Sequence, residues 1–314
     1  MNNLGLSHRQ TLDVIGTTQE GLHSIKTKHL PTCLLKIDLI KAYDRIDWVY
    51  LWLLLIHIGL EIDLVSWIMA CVHNVHFVVL VNGSPTTFFN GFRGLRQGYP
   101  LSPLLFILFM DGLSRLIWKA RDNGTMQGVQ VSNTQALTHI LFVDDVLLFG
   151  FNNIGEWAQY RGSTSLFCTA MGMDNSGTKS CFMALGGIMD DRILEIFPYE
   201  LHKLEDGFRY LGFTLKPNGY NKFDWSWLVD QVECKIGLWC YMWLSLGGRL
   251  TLVKSVLESI PVYWLSLFKI PKSILGDLGG MLLLFYGLVV VGITKYILRV
   301  GACLPDQNSW MVGV

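Results

Sequence analysis

From Thr11 to Lys28, apolar residues recur at helical spacing, with Leu12, Ile15, Leu22 and Ile25 forming one stripe among polar neighbours. This predicts an amphipathic helix, and Pro31 ends it. The period then changes. Cys33 to Asp38 is an apolar run of strand length that delivers Asp38 to a loop, and Trp48 to Ile58 is long enough for a buried helix. His76 to Val81 and Thr86 to Phe89 are β-prone runs around Asn82-Gly83-Ser84-Pro85, the form of a hairpin. Leu104 to Trp118 predicts a helix started near Ser102-Pro103, since proline is pre-organised for a first helical turn. His139 to Gly150 reads HILFVDDVLLFG, two apolar strand-like arms joined by Asp144-Asp145.

Two adjacent acids between apolar arms need a physical reason. Burying like-charged carboxylates is costly unless cations or donors compensate, so a hairpin tip facing a metal accounts for them. An ordinary aspartate-bearing β-turn gives the same local pattern. The other acidic stretch is LLKIDLIKAYDRIDWVYL, where Lys36, Asp38, Lys41, Asp44, Arg45 and Asp47 crowd together. Taken alone, it is equally a solvated helix start with local ion pairs. Two or three aspartates from different strands suffice to hold Mg²⁺, which prefers oxygen ligands. Two such ions about 3.5–4 Å apart activate an attacking hydroxyl and stabilise a leaving pyrophosphate.

Composition narrows the class. With 51% of its 314 residues hydrophobic and 16% charged, the chain collapses rather than remaining disordered. Lys and Arg number 25, as do Asp and Glu, so the whole chain exerts no net pull on a polyanion and any phosphate contact must be local. The stretch holding Lys235, Arg249, Lys254, Lys269 and Lys272 against Glu258 is the best candidate, though a solvated basic face would look the same. Seven cysteines without a Cys-x-x-Cys pair indicate neither a disulfide framework nor a zinc knuckle, and they fit a reducing compartment. The N-terminus lacks the apolar run of a signal peptide. The expected setting is therefore intracellular, nuclear or cytoplasmic.

Lys36-x-Asp38-x-x-Lys41-Ala42-Tyr43-Asp44 resembles the first catalytic motif of LINE-type (non-LTR) retrotransposon reverse transcriptases, and Phe142-Val143-Asp144-Asp145 resembles their second. Between them, the run from Gly94 through Arg96, Gln97, Gly98, Pro100-Leu101-Ser102-Pro103 to Phe106 resembles the family's longest and most specific element. Gly172-Met173 with Lys179-Ser180, Tyr210-Leu211-Gly212, and the region from Leu244 to Tyr263 follow in the family's order, the last in a plant-like form. Arg9 resembles the end of the motif that precedes the fingers.

The resemblance implies an α+β fold: a right-hand polymerase palm on an antiparallel sheet, partial fingers and a helical thumb, divided as 1–220 (fingers and palm) and 221–314 (thumb and connection). It implies an RNA-directed DNA polymerase that uses an RNA template, a DNA primer and dNTPs with two Mg²⁺ or Mn²⁺ ions. Asp38, Asp144 and Asp145 would hold the metals, with the Leu39 carbonyl as a possible further ligand. Tyr43 would exclude a 2′-hydroxyl, Lys179 would serve the leaving pyrophosphate, and Arg96, Gln97 and Gly98 would face the substrate. Tyr210, Leu211 and Gly212 would form the primer grip.

The chain departs from the family at Tyr99, Val143 and Ser176. The expectation is a truncated polymerase core, without the element's endonuclease and with much of the upstream fingers missing. The apolar run from Gly279 to Thr294 has a core short for a membrane span of about twenty residues, and it is expected to be a degenerate thumb or connection segment, because Phe285-Tyr286-Gly287 and Cys303-Leu304-Pro305 resemble the family's downstream pattern. A membrane helix is the weaker alternative for that run. A second function class stays open, a catalytically inactive nucleic-acid-binding remnant of a decayed retroelement. No oligomeric state is legible.

Overall fold

The computed structural model describes residues 11–131, 136–240 and 244–287. It divides into two compact units, Met1–Asn218 and Gly219–Val314. Arg9 of the expected upstream motif lies outside the described residues.

In the first unit, helix α1 (Thr11–Thr27) precedes strand β1 (Thr32–Asp38), then α2 (Ala42–Arg45), α3 (Trp48–His57), α4 (Ile62–His73) and α5 (Ser102–Asp122). Strands β2 (His139–Phe142) and β3 (Asp145–Phe151), helix α6 (Ile154–Met171), strand β4 (Cys181–Ala184), helix α7 (Asp191–Ile196) and strand β5 (Glu200–Lys203) follow. The hairpin β6 (Phe208–Tyr210) and β7 (Phe213–Leu215) ends the unit.

The central sheet has the order β5-β4-β1-β3-β2. Its pairings are antiparallel except β4 with β5, so the expected antiparallel sheet carries one parallel edge pair. That edge is reached through α7, the kind of crossover a parallel neighbour requires.

Side chains alternate across a strand, and both faces of this sheet are used. Cys33, Leu35 and Ile37 of β1, with Val146, Leu148 and Phe182, join the main core with Phe106, Phe109 and Leu113 of α5 and Trp157, Tyr160 and Phe167 of α6. The alternate set, Leu34, Leu147, Phe149 and Met183, is buried too. On that side α1 lies close enough that a Cβ on Gly21 would meet Leu137 at 3.0 Å. The second set continues along β1 into Lys36 and Asp38, where apolar cover gives way to charge.

Glu156 in the first turn of α6 is buried, yet its carboxylate accepts three backbone N–H bonds, from Gln127, Gly128 and Phe151. A charge so bonded is stable inside, and it pins two loops to the helix start. His139 at the start of β2 is likewise buried, between the hydroxyls of Ser114 on α5 and Thr138 at 2.8 and 2.9 Å.

Two expectations are corrected. Trp48 to Ile58 is a helix but not a buried one: only Leu51 and Leu55 of α3 are fully inside, while Val49, Trp52, Leu53 and Ile56 face out. The chain from His76 to Asn90 forms two short ladders, His76–Phe77 with Phe89–Asn90 and Leu80–Val81 with Ser84–Pro85, around the turn Asn82-Gly83. The expected arms are therefore broken in the middle, and Pro85 sits in a two-residue edge strand where its missing N–H is tolerated.

The second unit is helical: α8 (Ser226–Cys240), α9 (Leu246–Leu252), α10 (Ser259–Leu265) and α11 (Lys272–Tyr286). A π-helical stretch, Val253–Leu257, joins α9 to α10. Pro261 explains it, since a proline in a helix removes its bond to the residue four back and clashes there; the wider π turn absorbs both. Lys235, Lys254, Lys269 and Lys272 are all exposed. Helix α11 covers the start of the apolar run at Gly279, and residues 288–294 of that run lie outside the described residues. Among the described residues, no helix is long and apolar enough to cross a membrane.

Candidate active site

The register of β1 against β3 brings distant acids together. Asp38, the last residue of β1, is the direct cross-strand partner of Asp145, the first of β3. Side chains so paired have Cβ atoms about 4.5–5.5 Å apart, and like charges there repel. The expected tip is corrected by one residue: Phe142 pairs with Asp145, so the turn is Val143-Asp144 and Asp145 is already strand. Val143 has φ 54°, in the left-handed region a β-branched residue avoids. This is the first central position of a two-residue hairpin, where favoured turns take glycine or asparagine. The strain, on the order of 1–3 kcal/mol, sits directly beside the acids.

Electrostatics agrees with crowding. Burial raises the Asp145 carboxyl above its ordinary range, Lys36 opposes that, and Asp144 and Asp38 raise it further. Burial and the charge of Asp144 also raise the Tyr43 phenol. Among the described residues, however, no three His, Cys, Asp or Glu side chains are gathered closely enough to hold a metal ion. The facing pair of carboxylates, with a third on the adjoining turn, suits an oxygen-preferring divalent cation in donor type and charge. Asp144 is exposed on the turn next to Asp145.

The chain after α6 runs back along β1. Gly172 closes the helix with φ 69°. Ile40 then donates to the Asp174 carbonyl, Ser176 to the Asp38 carbonyl, and the Asp38 amide to Ser180 Oγ. Leu39 bridges to Asn175, with its side chain buried. Lys179 is thereby held near the acids, its Nζ 3.9 Å from Asp38 Oδ2. With 73% of its side chain exposed, that pair adds little stability, and the lysine stays free to turn to another anion.

Tyr43 on α2 stacks flat on Phe106 of α5, centroids 4.4 Å apart and planes within 7°. Gly94 and Leu95 bond back to the carbonyls of Ile46 and Tyr43. Gly94 has φ 90°, and a Cβ there would come within 2.7 Å of the Asp44 carbonyl oxygen, so only glycine fits. Arg96 lies over the Tyr99 ring at 4.7 Å and donates to the Cys71 carbonyl, directed at neither Asp38 nor Asp145. Gln97 and Gly98 are exposed; Gly98 has open space but φ 81°, so its conformation rather than crowding asks for glycine.

Tyr210, Leu211 and Gly212 form the β6–β7 turn, with Leu211 and Gly212 at φ 48° and 83° between the paired Tyr210 and Phe213. The Tyr210 ring is buried, its phenol raised by burial and by Asp145, and its hydroxyl has no hydrogen-bond partner among the described residues. Lys36 had no role assigned by its motif. Its Nζ donates to the Arg209 carbonyl at 2.9 Å, and the signal for it was its place two residues before Asp38 on a strand.

A family model described as reverse transcriptase (RNA-dependent DNA polymerase) matches residues 6–215. The chain is 47% identical over 73 residues to an uncharacterized mitochondrial protein of Arabidopsis thaliana, a match covering 22% of this chain and 60% of that protein. It is 23% identical over 213 residues to the retrovirus-related Pol polyprotein from the type-1 retrotransposable element R2 of Popillia japonica, covering 63% of this chain and 34% of that one. A telomerase structure from Candida albicans overlaps 98% of this chain and 53% of its own, at 12% identity and a TM-score of 0.48. In each of these comparisons the chain spans less than two thirds of the other protein.

Proposed function

Since the chain belongs to the reverse transcriptase (RNA-dependent DNA polymerase) family, whose model spans residues 6–215, we propose that it is the polymerase core of a non-LTR retrotransposon enzyme. It adds dNTPs to a primer 3′-hydroxyl along an RNA template and releases pyrophosphate. The observation that carries the reading is the register pair Asp38 and Asp145 with Asp144 on the next turn.

Asp38, Asp145 and, after a small movement of the turn, Asp144 would hold the divalent cations. Bound there, Mg²⁺ or Mn²⁺ supplies Lewis-acid stabilisation of the attacking and leaving oxygens. The residues do the positioning. Tyr43, fixed by its stack on Phe106, walls the ribose site against a 2′-hydroxyl. Lys179 reaches an anion beside Asp38, where a departing pyrophosphate would be. Gln97 and Gly98 offer an exposed amide and an open backbone to substrate. In this reading residues 1–220 make up fingers and palm and 221–314 the thumb, whose exposed lysines track the duplex backbone.

Primer extension by the purified chain on an RNA template, compared with Asp145→Asn, tests the proposal. Template-dependent extension in the parent that the variant loses supports it. One observation favours the other class: no three metal-capable side chains are gathered among the described residues. Binding of the template-primer without extension in either protein would identify an inactive remnant.

A further inference from the structure

The hairpin β6–β7 is a two-stranded ladder. In a two-residue hairpin the pair flanking the turn, here Tyr210 and Phe213, exchanges both backbone bonds. The next pair, Arg209 and Thr214, then turns its N–H and C=O groups away from the ladder. The outward Arg209 carbonyl is the one that accepts from Lys36 Nζ, across 173 positions of sequence. Lys36 leaves β1 on the same side as Asp38, so the ammonium that holds the hairpin carbonyl comes from the same face of β1 as the carboxylate pair.

We infer that Lys36 is a positioning residue that seats the β6–β7 hairpin against the carboxylate end of the sheet. The role rests on geometry alone, while its consequence for primer placement rests on the polymerase reading above. A charged donor is suited to it, because a bond to an ionised group is stronger than a neutral one. Arg209 itself is exposed, so the seat depends on its backbone and not on its side chain.

Amide hydrogen exchange on the full chain without substrate tests this in Lys36→Met, Lys36→Arg and Lys36→Gln. The expected result is roughly tenfold faster exchange at residues 208–215 in Lys36→Met, with β1 and β3 unchanged. Lys36→Arg should restore protection, and Lys36→Gln, which keeps a donor without the charge, should fall between. In extension assays Lys36→Met should raise the KM for primer several-fold, and Lys36→Arg should bring it back toward the parent value. Unchanged hairpin protection in a folded Lys36→Met protein overturns the inference, as does equal loss of protection across the whole sheet in Lys36→Met and Lys36→Arg. Hairpin release in a protein that never extends a primer upholds the seat and removes the polymerase reading instead.

Discussion

Two hairpins of the same loop length obey opposite rules. Asn82-Gly83, at φ 51° and 83°, is the pairing a two-residue turn prefers; it is exposed and carries no acid. Val143-Asp144 puts a β-branched side chain where the turn wants glycine, and the hairpin it closes holds Asp145 opposite Asp38. The first turn is built for local stability alone. The second accepts strain and like-charge repulsion at one spot, the pattern expected where residues are held for chemistry and offset by packing elsewhere. That packing is visible: Val146 to Phe149 behind the acids are all but fully buried, and His139 ties the hairpin to α5.

Asp38→Asn and Asp145→Asn should each reduce primer extension by on the order of 10²–10³ or more in steady-state assays, whereas substitutions at Asn82 should leave the rate within a fewfold. His139 is pushed down from 6.5 to about 4 by burial first, with Arg121 adding to it. A folded value below the unfolded one means that its contribution is complete above pH 6.5 and is lost as pH falls toward 4. Denaturant titrations should show up to about 3 kcal/mol lost in that window, and His139→Gln should flatten the dependence.

Glycine substitutions give the next effect. Gly94→Ala should cost about 2–3 kcal/mol, because φ and the Asp44 backbone both forbid a Cβ, while Gly83→Ala, with open space, should cost about 1 kcal/mol. The smallest effect separates the turns most cleanly. Val143→Gly should leave stability unchanged or raise it by up to about 1 kcal/mol while lowering extension, and Asn82→Val should lower stability by about 1 kcal/mol without touching activity. Thermal melts alongside the extension assay check both.

Elements whose pattern and end signals coincide were legible in the sequence. Helix α1 runs Thr11–Thr27 against an expected end at Lys28, β1 begins one residue before the expected Cys33, and α5 starts at Ser102 beside its proline. Apolar content alone misled at Trp48 to Ile58, since it cannot say which neighbours will cover a face, and the outer side of α3 stays open. The acidic turn slipped by one because Val143 breaks the turn chemistry a sequence reader relies on. The pairing of Asp38 with Asp145 could be suspected only through the resemblance, as strand register is a tertiary property. The place of Lys36 two residues before Asp38 put it on the acids' side of β1, but its acceptor on β6 is a backbone carbonyl, which no side-chain pattern marks.

Titration of the chain with Mn²⁺, followed by the loss of free-ion electron paramagnetic resonance signal, tests whether Asp38 and Asp145 share a cation. Binding that is weakened at least tenfold by Asp38→Asn and by Asp145→Asn alike, but not by Asp111→Asn on α5, is the predicted result. Binding that survives both substitutions unchanged would contradict a cation site shared by the two strands.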